Sequence, residues 1–199
     1  KSIKIMYIPK YFEITDKNEQ FAFIAANGFG QLISTSNDRP CSTHLPFLLS
    51  EDKTKLLAHL AIQNSQVDSI NGQQVLVTLQ GAHDYISPSW YEGAGVPTWN
   101  YQAAHIYGVC QTFTDAEKLE YVVNKLTAKY EANMPSPWQP DYNPKMLNAI
   151  IGIEISISEI QCKYKLSQNK SEQDQQQVID QLNENGSKAV AKAMQREKT

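Results

Sequence analysis

Hydrophobic positions recur along the chain at two periods, broken by clusters of Pro, Gly and Asn. Period-two alternation predicts strands over 31–36, 42–49, 55–61, 73–86, 99–113 and 151–160. Val75, Val77 and Leu79 share one face of the fourth strand, and Ala103, His105, Tyr107 and Val109 share one face of the fifth. Helical spacing predicts a helix over 16–26, with Phe21, Ile24 and Ala25 inward behind a Thr15 or Asp16 cap. Asn27-Gly28-Phe29-Gly30 is expected to end it, because Asn and Gly tolerate left-handed backbone. Asn37-Asp38-Arg39-Pro40 reads as a turn. A second helix runs from a Thr114 cap with Glu117 closing the box to about Tyr130, and buries Leu119, Val122, Val123 and Leu126. A short helix over 144–150 follows a Pro-rich turn. From Ser171 the sequence is polar and Gln-rich, with one stripe of Val178, Ile179 and Leu182 before Gly186 and a last helix over 188–195.

Hairpin-linked strands interrupted by a few helices lack the β-α alternation of a parallel sheet. The fold expected is mainly β with peripheral helices (α+β), an antiparallel barrel or strongly curled sheet. The 199 residues suit one core. Residues 1–5 read as an extension ahead of a start at Met6, residues 6–170 as the domain, and 171–199 as a helical tail that packs weakly or pairs with another subunit. Cys41, Cys110 and Cys162 are widely spaced, without C-x-x-C, as reduced cytosolic thiols would be. No secretory signal and no apolar run of membrane-spanning length is present, so a cytoplasmic location without membrane contact is expected. A net charge of −3 argues against a broad phosphate-binding surface and confines any nucleic-acid contact to a local patch.

Residues 85–101, Y-I-S-P-S-W-Y-E-G-A-G-V-P-T-W-N-Y, hold five aromatics, two prolines and two glycines without a Lys or Arg. Pro88 and Pro97 favour extended backbone before them, and Gly93 and Gly95 permit a reversal. Such a segment suits the wall of a flat ligand site; the same rings serve equally as core or subunit-interface packing. Lys163-Tyr164-Lys165-Leu166-Ser167-Gln168-Asn169-Lys170 combines ammonium groups with hydroxyl and amide donors, suiting either an anion site or a solvated turn. His44, His59, His83 and His105 fall in or beside strands, without ligand spacing, and no metal site is expected. No nucleophile elbow, P-loop or G-x-G-x-x-G occurs, and no catalytic acid or base is recognisable.

Met6-Tyr7-Ile8-Pro9-Lys10-Tyr11-Phe12, Thr43-His44-Leu45-Pro46-Phe47, Ala58-His59-Leu60-Ala61, Tyr85-Ile86-Ser87-Pro88-Ser89-Trp90-Tyr91, Val96-Pro97-Thr98-Trp99-Asn100-Tyr101 and Lys165-Leu166-Ser167-Gln168-Asn169 occur in that order. Together they resemble the PaiB family of FMN-binding negative transcriptional regulators. The resemblance implies an antiparallel split β-barrel of the flavin-reductase and pyridoxamine-phosphate-oxidase type, a homodimer, and FMN as cofactor. It places Thr43, His44 and Leu45 along the isoalloxazine edge and His59, Ala61 and Asn64 near the ribityl-phosphate end. Trp90 and Trp99 wall the pocket, with Ser87 and Asn100 in the same motifs, and Lys165, Ser167 and Gln168 reach in. Where the family commonly carries an arginine after its histidine motif, this chain has Ile62. Loss of that phosphate partner is expected to weaken FMN by about 1.5–3 kcal/mol, with Lys165 as the compensating cation.

A DNA or protein partner follows from the family alone, and the acidic balance speaks against direct DNA contact. The alternatives are a flavin-dependent oxidoreductase, a haem-binding or haem-degrading split-barrel protein, and a member of the family that no longer binds flavin.

Overall fold

The computed structural model describes residues 6–141 and 143–197; the expected extension at residues 1–5 lies outside them. Among the described residues seven strands, β1 (Phe29–Ser36), β2 (Arg39–Pro46), β3 (Leu48–Leu49), β4 (Lys55–Ala61), β5 (Gln74–Ile86), β6 (Thr98–Phe113) and β7 (Ile150–Lys165), form one antiparallel sheet in the order β2-β1-β5-β6-β7-β4-β3. The helices are α1 (Lys17–Ala26), α2 (Val67–Ile70), α3 (Ala116–Glu131), α4 (Glu172–Glu184) and α5 (Lys188–Arg196). The chain forms two compact units: residues 24–79 with 105–160, and residues 6–23 with 80–104 and 161–197.

In the first unit the end strands of the order, β2 and β3, are separated in sequence by Phe47 alone. Two residues of backbone span at most about 7 Å, so the sheet of this unit must curl until its edges meet. Pro46 offers no N–H for continued pairing. The next amide, Phe47 N–H, turns to Gly28 O at 2.7 Å, and the Phe47 ring is buried. Gly28 is needed there for close approach, since a Cβ would lie 2.7 Å from Phe47 O. The strand expected over 42–49 is therefore two strands on opposite edges.

Asn37 and Asp38, with φ of 48° and 58°, make a two-residue turn, and strand pairing resumes at once with Ser36 opposite Arg39. Positive φ at both central residues belongs to the type I′ hairpin, whose twist matches the strands. Pro40 sits in β2 opposite Thr35 without disrupting the sheet because β2 ends the strand order. Helix α3 lays Val122 and Leu126 against Leu57, with Leu48 and Phe113 alongside. Glu154 accepts from Lys118 Nζ at 2.7 Å and Lys55 Nζ at 3.1 Å. The α3 cap is Asp115, accepting from Lys118 N–H, and not Thr114. The shift leaves Glu117 in the first turn, where its charge suits the helix dipole, without a capping box.

The second unit contains the ends of β5, β6 and β7 and the tail. Helix α1 buries Ile24 as expected, and Gln20 and Phe23 besides, while Phe21 is half-buried and Ala25 is exposed. Neither Asn27 nor Gly28 ends α1 in the left-handed conformation. Strand β7 continues five residues beyond its expected end, through Lys165, and buries Gln161, Cys162, Lys163 and Tyr164 on the way. In the tail, Val178, Ile179, Leu182, Val190, Ala191 and Met194 are buried. Ser171 caps α4 by accepting from Asp174 N–H, and Gly186, at φ 84°, separates the two tail helices. Among the described residues no helix is long and apolar enough to cross a membrane.

The seam at Phe47 predicts the cost of filling it. Gly28→Ala should lower unfolding stability by about 1–3 kcal/mol through overpacking, whereas Gly93→Ala, with open space at its Cβ, should stay within about 0.5 kcal/mol. Urea unfolding of both variants checks this; equal midpoints would remove Gly28 from the seam.

Candidate functional site

The expected site residues fall into two clusters, one in each unit. In the first unit, the edge strand β2 presents Thr43 half-buried, His44 exposed and Leu45 buried. The alternation is what a strand with one dry face dictates. Asn64 Nδ2 donates to Thr43 Oγ1 at 2.9 Å, and the Thr43 hydroxyl donates to Gln66 Oε1. Gln66 is the hub of this cluster. It is buried, its Nε2 donates to Ser34 Oγ at 2.7 Å and Leu32 O at 3.3 Å, and its N–H donates to Asn64 Oδ1 at 3.0 Å. Sequence reasoning passed over Gln66, because a glutamine in a polar loop gives no periodic signal. Gln31 Nε2 lies 3.0 Å from His44 Nε2, and the His44 ring stacks with Phe29 at 6.4 Å.

His59 lies in β4 opposite Gly152 of β7. Its ring is half-buried and its Nδ1 is buried with no partner among the described residues. Burial holds the imidazole below the ordinary 6.5, so it is neutral at pH 7 and can accept or donate one hydrogen bond. Ala61 and Ile62 are exposed at the end of β4, and Ile62 N–H donates to Ala149 O at 2.9 Å.

In the second unit, Ser87 caps the 3-10 turn Pro88–Trp90, accepting from Ser89 N–H, and Trp90 is half-buried. Trp99 is 53% exposed, with the Tyr85 ring edge-on at 6.1 Å. Asn100, the next residue, is fully buried. Its Nδ2 donates to Ser167 Oγ at 3.0 Å and meets Met194 Sδ at 3.4 Å. Lys165 Nζ donates to Thr98 Oγ1 and to Trp99 O, each at 2.7 Å. Burial, then the positive charges of Lys163 and Lys170, pull the Lys165 ammonium below its usual value. A cation facing neutral acceptors and other cations is one that gains from an anion nearby. Ser167 takes φ 68° in the turn after β7. Gln168 ties that turn shut, accepting from Leu166 N–H and donating to Tyr164 O, each at 2.7 Å.

Cys110 and Cys162 are buried thiols pushed up to about 12, which removes them as nucleophiles at neutral pH. Among the described residues no three His, Cys, Asp or Glu side chains gather as a metal site.

This fold occurs in solved flavoproteins. The Flavocytochrome Anf3 from Azotobacter vinelandii matches with a TM-score of 0.66 at 15% identity, over 86% of this chain and 79% of that one. The FAD and Heme binding protein from Mycobacterium smegmatis matches with 0.61 at 14% identity, over 77% and 73%. The architecture is thus the antiparallel split barrel of flavin-binding proteins. Residues 6–159 match the family described as "Putative FMN-binding domain". Protease synthase and sporulation protein PAI 2 of Bacillus subtilis (strain 168) is 40% identical over 186 residues, 89% of each chain. An uncharacterized protein of Emericella nidulans is 31% identical, over 69% of this chain and 73% of its own length. The chain belongs to the PaiB family of FMN-binding proteins.

The two half-buried histidines give the pH dependence a sign. His59 and His105 are both held below 6.5 by burial, so below that pH the unfolded chain takes up protons that the folded chain refuses. Their contribution is complete above about pH 6.5 and is lost progressively as the pH falls from there through the folded-state values. Urea midpoints at about pH 7.5 and about pH 5.5 should differ less in a His59→Asn/His105→Asn variant than in the wild type. An unchanged difference would assign the pH dependence to other groups.

Proposed function

We propose that this protein is a homodimeric regulator of the PaiB type whose ligand is FMN. The observation that carries the reading is the His59 Nδ1, buried, neutral and without a partner among the described residues, on the strand that holds the family's histidine motif. Buried polar atoms are rarely left unpaired, and one that is marks a place for a ligand or a water. Residues of the first unit suit the polar edge of a flavin. Strand β2 ends the strand order, so the backbone of Thr43, His44 and Leu45 has donors and acceptors that the ladder does not use, and Thr43 is fixed by Asn64 and Gln66. Ala61 and Asn64 follow His59 toward the phosphate end in this reading.

In the second unit, taken by itself, Trp90 and Trp99 offer ring faces, Ser87 and Asn100 set their backbone, and Lys165 with Ser167 and Gln168 forms a cationic turn suited to an anion. FMN supplies redox chemistry when bound, and the chain's part is to bind, orient and exclude water. Exposed apolar residues in each unit, Phe29 and Ile62 in the first and Val96 and Trp99 in the second, are side chains that self-association could cover. The net charge of −3 supports regulation through the flavin or a protein partner more than through direct DNA contact.

Titration with FMN, followed by flavin fluorescence, should show saturable binding. Ile62→Arg should tighten it roughly tenfold or more, the worth of a charge-assisted pair. No saturation in either protein would end the flavin reading. On sizing with light scattering, the 22.5 kDa chain should run at about 45 kDa, and a monomer would refute the dimer. A gel shift should show no salt-sensitive, sequence-selective DNA binding; a clear shift would replace the indirect route with a direct one.

A further inference from the structure

The family match ends at residue 159, yet the residues after it hold the aromatic segment 85–101 at its beginning, middle and end. At the beginning, the Ser187 hydroxyl donates to Asp84 Oδ2, while Asp84 Oδ1 accepts from Tyr85 N–H at 2.6 Å. In the middle, Glu92 Oε1 accepts from Gln173 Nε2 at 2.7 Å and from Gln177 Nε2 at 3.3 Å. Those glutamines are one helical turn apart on α4 and therefore share a face. Beside them Lys170 Nζ sits 4.8 Å from the centre of the Tyr91 ring. At the end, Asn100 is bound by Ser167 and Met194.

Its two ends are strand, Tyr85–Ile86 in β5 and Thr98–Tyr101 in β6, but residues 87–97 between them have no fully buried side chain. Between Asp84 and Asn100 only Ile86 and Asn100 are fully buried, and residues 92–94 and 96–97 are exposed. A stretch with so few buried apolar groups has low local stability unless polar contacts hold it. Gly95 allows the chain to fold back on the Tyr91 ring, where a Cβ would come within 2.4 Å. Conversely, the tail buries Val178, Ile179, Leu182, Val190 and Met194, so it is a firm body to anchor against.

We infer that the tail is the element that sets the position of the Trp90–Trp99 wall, with Glu92 as the positioning residue through which α4 holds it. The inference rests on the flavin reading only for what the wall encloses; the anchoring stands on the contacts themselves. It extends the binding unit beyond residue 159 and makes α4 a place from which occupancy of the site can be altered. A partner that draws Gln173 and Gln177 away from Glu92 releases the middle of the wall.

The test is Glu92→Ala in the full chain, a substitution at an exposed side chain that leaves the core intact. Glu92→Gln, which keeps an acceptor oxygen, is the conservative partner. Hydrogen exchange by mass spectrometry should show residues 85–101 exchanging faster in Glu92→Ala without FMN, at an unchanged global unfolding midpoint. FMN affinity should fall roughly tenfold, the scale of losing hydrogen bonds to a charged acceptor, and Glu92→Gln should recover most of both effects. Unchanged exchange in Glu92→Ala overturns the anchoring. Faster exchange with unchanged FMN affinity overturns the role in binding. If the wild type binds no FMN while Glu92→Ala still loosens the segment, the flavin reading fails and the positioning role stands.

Discussion

A single residue, Phe47, joins the two edges of the sheet, and the architecture of the first unit follows from that shortness. A one-residue link leaves no freedom for an open, flat sheet. It forces curvature, which antiparallel strands accommodate through their twist. The chemistry at the seam matches: Pro46 stops one ladder for want of an N–H, Phe47 buries its ring, and Gly28 yields the space that the Phe47 carbonyl needs. Removing a Cβ at position 28 and an amide hydrogen at 46 are small covalent changes with a global consequence.

The same short motif serves the candidate site. Thr43, His44 and Leu45 run directly into Pro46, so the geometry that closes the sheet also presents this edge strand. Its register is held from outside the strand by Gln66, whose side-chain amide joins Thr43 and Ser34 and whose backbone N–H donates to Asn64 Oδ1. A buried network with every member satisfied is rigid, and a partly satisfied one is costly. Gln66 therefore fixes the loop after β4, the loop that carries Ile62 and Asn64, at the same time as it fixes β2.

The second unit solves a different problem. The aromatic segment is too polar and too rich in Gly and Pro to bury itself, and it obtains its order from a tail whose own apolar stripe makes it stable. Asn100 and Ser167 show the division of labour. Neither is exposed, yet each keeps a neighbour in place: Trp99 on one side, and the turn carrying Gln168 on the other. Ser167 accepts a left-handed backbone in that turn, a strain of about 1 kcal/mol or more that surrounding hydrogen bonds must offset.

Residue order alone determined the longer strands and helices, because period-two runs such as Val75, Val77 and Leu79 and the Leu119, Val122, Leu126 stripe each have one way to bury their apolar side. It also determined the family, through blocks such as Y-I-S-P-S-W-Y in which each residue type is set locally. It did not show that 42–49 breaks at Phe47, since a strand crossing from one edge to the other keeps the same alternation. Nor did it show that β7 runs on to Lys165: lysines read as solvated, yet Lys163 is buried and donates to Tyr7 O. The hub role of Gln66, the orphaned Nδ1 of His59 and the grip of Gln173 and Gln177 on Glu92 were decided by tertiary structure alone. Hydrogen bonds between residues far apart in sequence leave no periodic trace, and only the folded backbone brings donor and acceptor within reach.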